Sequence, residues 1–418
     1  MATTLVYGEQ ITVLCELGFA VDPFTLDSAS LGLLDTNFLD GTLTGTDVSE
    51  FVMDMSIRRG RADEFETFRA GTLAMRLIDN DRQFDPLNTS SPYYDIATSR
   101  SGVQPRRKVT VLSGGVEIFT GRITEIDVNY DYQLSTVTLT CADDFVLLAN
   151  TAVEAAVTPT QELSGARVSY LLDLPEIGYP ATRNIATGTV TLGNYVIADN
   201  TNALGYLQSI AESEQGLCFI SADGDLTFTD RLTAAFATIS AVFSDATAHT
   251  DISYQGLGVA YGQQFLYNRV QAVRQGGTIQ TSDDAASQTE YGISTLTFTD
   301  LLLSDDTETL ALTADLLAAY SEPQFRFDDL RLMVSAMSAP DRATVIGLEI
   351  GDVVEITRSF SVGTPSSVTA LYAVDRIDHQ ITPSQHTVIL GLFNTEILYQ
   401  FLLDDATFGT LDGSNALA

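Results

Sequence analysis

Apolar and polar residues alternate along much of this chain. In the run TVTLTCAD, Val137, Leu139 and Cys141 interleave with Thr136, Thr138 and Thr140, the period of a strand with one buried face. The same alternation runs through KVTVLSGG from Lys108, around Ile126, Val128 and Tyr130, through DLTFTD, and through HTVILGL from His386. Between GLCFIS and DLTFTD stand Ala222, Asp223 and Gly224. Asp-Gly is a favoured hairpin connection because both residues tolerate positive φ. The pattern predicts a mainly β protein.

Two segments change period. From about Asn202 to Gln215, Ala203, Leu204, Leu207, Ile210 and Ala211 form one apolar face; Thr201 or Asn202 can cap the start and Gly216 the end. From about Asp305 to Tyr320, Asp305, Asp306 and Glu308 occupy the positive end of a helix dipole. Leu310, Ala311, Ala314, Leu317 and Ala318 are expected on its buried face, and Pro323 stops it. A short third helix is expected over Ala142 to Ala149, and an α/β segment interrupts the strands from about Leu163 to Arg231.

Two internal repeats bear on architecture. FTLDSASLGLLD from Phe24 and FLLDDATFGTLD from Phe401 share seven of twelve positions. Their acid and glycine content argues against independent folding, whereas spaced Phe24, Leu26, Phe401 and Leu403 suit an extended strap laid on another surface. The second repeat is fainter. RRKVTV at Arg106, FTGRI at Phe119 and STVTL at Ser135 are echoed by GDVVEI at Gly351, YAVDRI at Tyr372 and HTVIL at His386. The echo aligns the two Arg-Ile pairs and predicts two related β-barrels or sandwiches in one chain.

At 418 residues, 45% hydrophobic and only 18% charged, the chain has material for two to four domains with real cores. Its net charge of -34 repels phosphate backbones and disfavours tight nucleic-acid binding. No apolar run approaches membrane-spanning length, and the N-terminus lacks a basic region followed by an apolar stretch. The basic residues cluster: Arg58 to Lys108 holds ten of the 21, whereas Gln275 to Phe325 has nine acids and no base. These two surfaces are expected partners by charge.

Signs of chemistry are sparse. Cys15, Cys141 and Cys218 are odd in number and far apart, which fits core thiols better than disulfides or a zinc site. His249, His379 and His386 are expected on strand surfaces. No GxSxG elbow, HExxH helix or phosphate-binding loop occurs, and GLGVAYG at Gly256 lacks nucleotide-loop spacing. In IDNDRQFD, Asp79, Asn80, Asp81 and Asp85 could serve calcium, but they equally fit a β-turn before Arg82 and no EF-hand spacing follows. The chain is expected to be non-enzymatic and free of cofactors.

The segment SIRRGRADEFETFRAGTLAMRLIDNDRQFDPLNTSSPYY, Ser56 to Tyr94, closely resembles the tail-tip proteins of long-tailed bacteriophages, the minor tail or baseplate-hub proteins. The likeness rests on Arg59, Gly60 and Arg61; Gly71 and Thr72; Asp79, Asn80, Asp81 and Arg82; Phe84, Asp85 and Pro86; and Ser91, Pro92 and Tyr93. It continues in order through GRITEIDVNYDYQLSTVTLTCAD, LEIGDVVEI and the straps. The polar spacer between Tyr94 and Arg106 departs from it.

The resemblance implies a structural subunit of the virion tail tip, with two tube-like β-barrels and an inserted α/β domain. Three chains of two barrels would then match a sixfold tail tube. The expected organisation is a strap at 1–50, a first barrel at 51–150, an α/β domain at 151–235, a second barrel with the acidic helix at 236–400, and a strap at 401–418. Arg58, Arg59, Arg61, Phe84, Pro92, Tyr93, Tyr94, Phe24, Leu26, Phe401 and Leu403 are the expected subunit contacts. Expected partners are further copies of the chain, tube or distal ring proteins and other tip or fibre proteins, with DNA passing an acidic lumen. The runner-up is a receptor- or carbohydrate-binding protein on the tail periphery.

Overall fold

The computed structural model describes residues 10–17, 45–96, 99–131, 133–179, 182–231, 238–246 and 249–394. The straps carrying Phe24, Leu26, Phe401 and Leu403 lie outside them.

The N-terminal strands are β1 (Ile11–Cys15), β2 (Val52–Gly60), β3 (Thr72–Ile78), β4 (Lys108–Ser113), β5 (Val116–Asn129) and β6 (Thr136–Ala142). Their burial alternates as their sequences do, with Val137, Leu139 and Cys141 inward. They pair antiparallel in the order β2-β3-β6-β5-β4-β1.

An α/β region follows: α1 (Ser164–Leu172), β7 (Arg183–Ile185), α2 (Ala203–Glu214), β8 (Leu217–Ile220) and β9 (Leu226–Thr229). Asn202 caps α2, its side-chain oxygen accepting the Gly205 N–H at 2.9 Å. The helix ends on Gln215 in the left-handed region, φ 56°, one residue before the glycine expected there. The β8–β9 hairpin turns at Gly224, φ +95°, as the Asp-Gly pair predicts.

The chain then forms β10 (Ile239–Ser244), β11 (Gly256–Tyr261), a small sheet of β12 (Arg269–Arg274), β13 (Gln280–Asp283) and β14 (Thr295–Leu301), and helix α3 (Asp306–Tyr320). Asp305 caps α3 by accepting from the Thr307 and Glu308 N–H groups. Its buried face is not the expected one. Thr309, Leu312, Thr313 and Tyr320 face inward while Leu310 is 44% exposed. The threonine hydroxyls donate to the carbonyls of Asp305 and Leu310, so they enter the core with their polar atoms already satisfied.

The last strands are β15 (Phe325–Met333), β16 (Val353–Ser359), β17 (Ser367–Thr382) and β18 (Gln385–Asn394). Their order is β11-β15-β18-β17-β16-β10, antiparallel except for β10 along β16. The five-strand order β2-β3-β6-β5-β4 thus recurs as β11-β15-β18-β17-β16, with the chain visiting equivalent strands in the same sequence. Even the bulges coincide. β5 slips between Ile123 and Glu125 against β6, and β17 slips between Val374 and Arg376 against β18. Thr124 is therefore equivalent to Asp375. The two Arg-Ile pairs are not equivalent as the echo suggested, because Arg122 precedes its bulge and Arg376 follows its own.

Neither module closes into a barrel among the described residues. Closure would need β2 to return to its own module, and β2 instead pairs antiparallel with β17 of the other. One continuous 14-stranded sheet results. One large apolar core, beside a small separate cluster of Val353, Ala373 and Phe393, runs beneath it and takes in the buried thiols of Cys15, Cys141 and Cys218. Among the described residues no helix is long and apolar enough to cross a membrane.

Candidate functional site: the joint between the strand modules

The β2–β17 joint runs from Gly60 opposite Arg376 to Met55 opposite Ile381. Gly60 has φ +106°, and a Cβ there would lie 2.7 Å from the Arg376 Cα, so the close approach of the two strands requires glycine. The arginines of the RRGR element arm the same seam. Arg59, 3% exposed, pairs with Glu349. Arg61 donates its Nε–H to both oxygens of Asp375, at 2.7 and 2.9 Å. Arg58 sits 3.9 Å from Asp378, which also accepts from Arg376 at 3.0 Å. Three arginines of the cationic island, Arg58, Arg59 and Arg61, are therefore met by acids at 349–378, and Arg76 and Arg82 by the local Asp54 and Asp85, rather than by the acidic stretch at 275–325. That stretch neutralises nearer arginines through Arg274–Asp306, Arg269–Asp283 and Arg231–Asp315.

Burial raises the Asp375 carboxyl above its ordinary range, against the pull of Arg61. Glu64, just beyond the joint, accepts the Tyr320 hydroxyl, and burial pushes its pKa up to about 7. Glu64 and the Arg61 that holds Asp375 lie beside a cavity of about 270 Å³ walled by Phe65, Phe68, Phe298 and Phe393. Because Asp375 is clamped by Arg61, the two carboxyls do not form an open acid and base pair.

His379 and His386 are not surface histidines. Both are buried, on β17 and β18, with His379 Nδ1 3.0 Å from His386 Nε2. Thr387 and Val388 are buried with them; strand alternation alone could not show that both faces of β18 are covered.

The DNDR-FDP-SPY loop folds on its own module. The Asp79 carboxylate accepts the Gln83 and Phe84 N–H groups at 2.6 and 3.1 Å. Asp85 accepts from Arg82, the Leu87 N–H and the Tyr130 hydroxyl. These two carboxylates hold the turn itself, in line with the β-turn reading. Phe84 is buried, edge-on to Phe51 at 5.1 Å and stacked on Tyr93 at 5.6 Å. Tyr93 and Tyr94 are half-buried and Pro92 is exposed. The structure thus gathers Arg58, Arg59 and Arg61 at the joint, and Phe84, Pro92, Tyr93 and Tyr94 at a separate loop.

Solved structures share this fold, two tail proteins among them. The tail protein from Neisseria meningitidis MC58 matches 93% of this chain and 98% of its own at a TM-score of 0.59 and 12% identity. The 43 kDa tail protein of prophage MuSo2 from Shewanella oneidensis matches 93% of this chain and 99% of its own, at 0.57 and 10%. At such identities the likeness is one of fold. No protein-family model matches the chain, and no curated protein matches it.

Proposed function

We propose that this chain is a non-catalytic hub or minor tail protein of a long-tailed phage. It forms a ring at the distal end of the tail tube, within the virion, and connects the tube to the host-facing tip. The observation that carries the reading is the repeated five-strand order within one chain. Two like modules per chain let three copies present six similar units to a sixfold cylinder, so a homotrimer is the natural assembly. The tail-protein folds that match nearly the whole chain support the same setting.

In this reading 51–150 and 236–400 supply the tube-like units, and 151–235 is an insertion between them. Within 1–50, β1 joins the first module's sheet, while the strap around Phe24 and Leu26 and the strap at 401–418 with Phe401 and Leu403 anchor neighbours. Pro92, Tyr93 and Tyr94 face an adjoining tail protein. The surplus acid lines the lumen, so that DNA passes without adhering. No cofactor is required.

The test is the mass of the purified chain in solution together with its location in imaged particles. A closed oligomer found at the tail tip is expected. Dispersed monomers that are absent from virions would overturn the proposal.

A further inference from the structure

Among the described residues, the repeated module supplies one joint within the chain and leaves both halves of another without a strand partner. In the second module, β17 uses one edge twice: Ser367–Ala373 holds β16, and Arg376–Ile381 holds β2. In the first module, β5 holds β4 with Val116–Arg122 only. The following residues, Glu125–Asn129, pair with β6 on one edge and with no strand on the other among the described residues. β11 is the counterpart of β2, and among the described residues it too pairs on one edge alone, with β15.

Exposure tells the same story. Where β2 covers β17, Ile377, His379 and Ile381 are buried; their counterparts are Ile126 and Val128 on β5 and Tyr130 just after it, by the alignment of Asp375 with Thr124. Ile126 and Val128 are half-buried and Tyr130 is 57% exposed. On β2 the inward positions Met55, Ile57 and Arg59 are buried. The matching pairs Met55–Met75 and Leu257–Leu330 make Leu257, Val259 and Tyr261 their counterparts. Val259 is 47% and Tyr261 70% exposed. Two apolar strand edges left open in one chain invite edge-to-edge addition unless a partner covers them.

We infer that β11 of one copy adds antiparallel to the free edge of β5 in the next copy, repeating the β2–β17 joint between chains. This rests on the ring reading above and specifies its contact. The internal register, Met55 opposite Ile381, Ile57 opposite His379 and Arg59 opposite Ile377, transfers to Leu257 opposite Tyr130, Val259 opposite Val128 and Tyr261 opposite Ile126. Apolar side chains then meet at every inward position. The contact is head to tail, and with the rotation that the ring reading requires it closes into a ring in which joints within and between chains alternate.

The test pairs an edge block with a proximity measurement on the full chain. Val259→Lys with Tyr261→Lys places charge on the added strand and should reduce the oligomer to single chains of unchanged circular dichroism. Mixed Val259→Cys and Val128→Cys chains should cross-link to each other through a short bis-maleimide. Neither single variant should cross-link by itself, since the native thiols are buried. A wild-type oligomer that survives the lysines and gives no mixed cross-link would overturn this contact and leave the ring reading standing. A wild-type chain that sediments as a monomer would overturn both. If the lysine variant fails to fold, the mixed cross-link alone decides.

Discussion

His379 Nδ1 lies 3.0 Å from His386 Nε2, and both rings are sealed into the strand pair that carries the joint. One ring nitrogen donates and the other accepts, so there is no room for a second proton. Burial first, then His386 and the nearby Arg59 guanidinium, hold the His379 pKa well below its ordinary 6.5. A depressed pKa means the stability this group allows is present above 6.5 and lost as pH falls below it, because the unfolded chain takes the proton first. Urea unfolding should show a loss of about 1 kcal/mol between pH 7 and pH 5.5 from this group. His379→Val, which installs the side chain found at the equivalent Val128, should flatten that part of the profile. An unchanged slope would show that the pair is not its source.

Glu64 shifts stability the opposite way. Its folded pKa of about 7 stands above the ordinary 4.5, so its contribution is full below pH 4.5 and disappears as pH rises through 7. Residue 64 is only half-buried as a whole, which limits the effect. Glu64→Gln keeps a partner for the Tyr320 hydroxyl and removes the charge. It should stabilise the protein at pH 8 by about 1 kcal/mol, with the gain vanishing towards pH 4.5. Calorimetric melting at the two pH values measures it, and a variant less stable at pH 8 than wild type would refute the assignment.

Local features were legible in the sequence because they depend on neighbours. The alternation of Val137, Leu139 and Cys141, the caps at Asn202 and Asp305, and the turn at Gly224 each needed only a few adjacent residues. The module echo was legible at its first and last strands, where Val109 and Val111 align with Val354 and Ile356, and Leu139 with Leu390. It slipped at the middle strand, because a bulge moves an Arg-Ile pair without marking the sequence. The inward face of α3 departs from its apolar stripe, because Thr309 and Thr313 satisfy their hydroxyls locally and so enter the core. The β2–β17 joint was illegible. It brings Gly60 to Arg376 across most of the chain, and no periodicity within either strand names the other.

Arg61 and Asp375 offer a direct measure of that joint. Both side chains are nearly buried, 11% and 7% exposed, so removing the arginine strands a carboxylate that burial already disfavours. Arg61→Met should destabilise the chain by about 3 kcal/mol at pH 7. Adding Asp375→Asn should recover more than half of that loss, because the uncompensated charge is then gone. Denaturant midpoints of the two single variants and the double variant close the cycle. Additive losses would mean the pair is not coupled.

Gly60 sets how closely the modules approach. A side chain there meets two obstacles at once, a φ of +106° that L-residues rarely adopt and the backbone of Asp375 and Arg376 directly in its path. Gly114 provides the control: its φ is +57° and nothing lies within 4 Å of a Cβ built on it. Gly114→Ala should therefore cost only about 1 kcal/mol, the conformational term alone. Gly60→Ala should cost at least about 3 kcal/mol, since the strands must also separate. The separation should further expose the amides of Arg59 and Ile377, and hydrogen exchange would register it as faster exchange there than in the β5–β6 pair. Equal losses in the two variants would mean that backbone conformation, rather than contact between modules, accounts for the glycine at position 60.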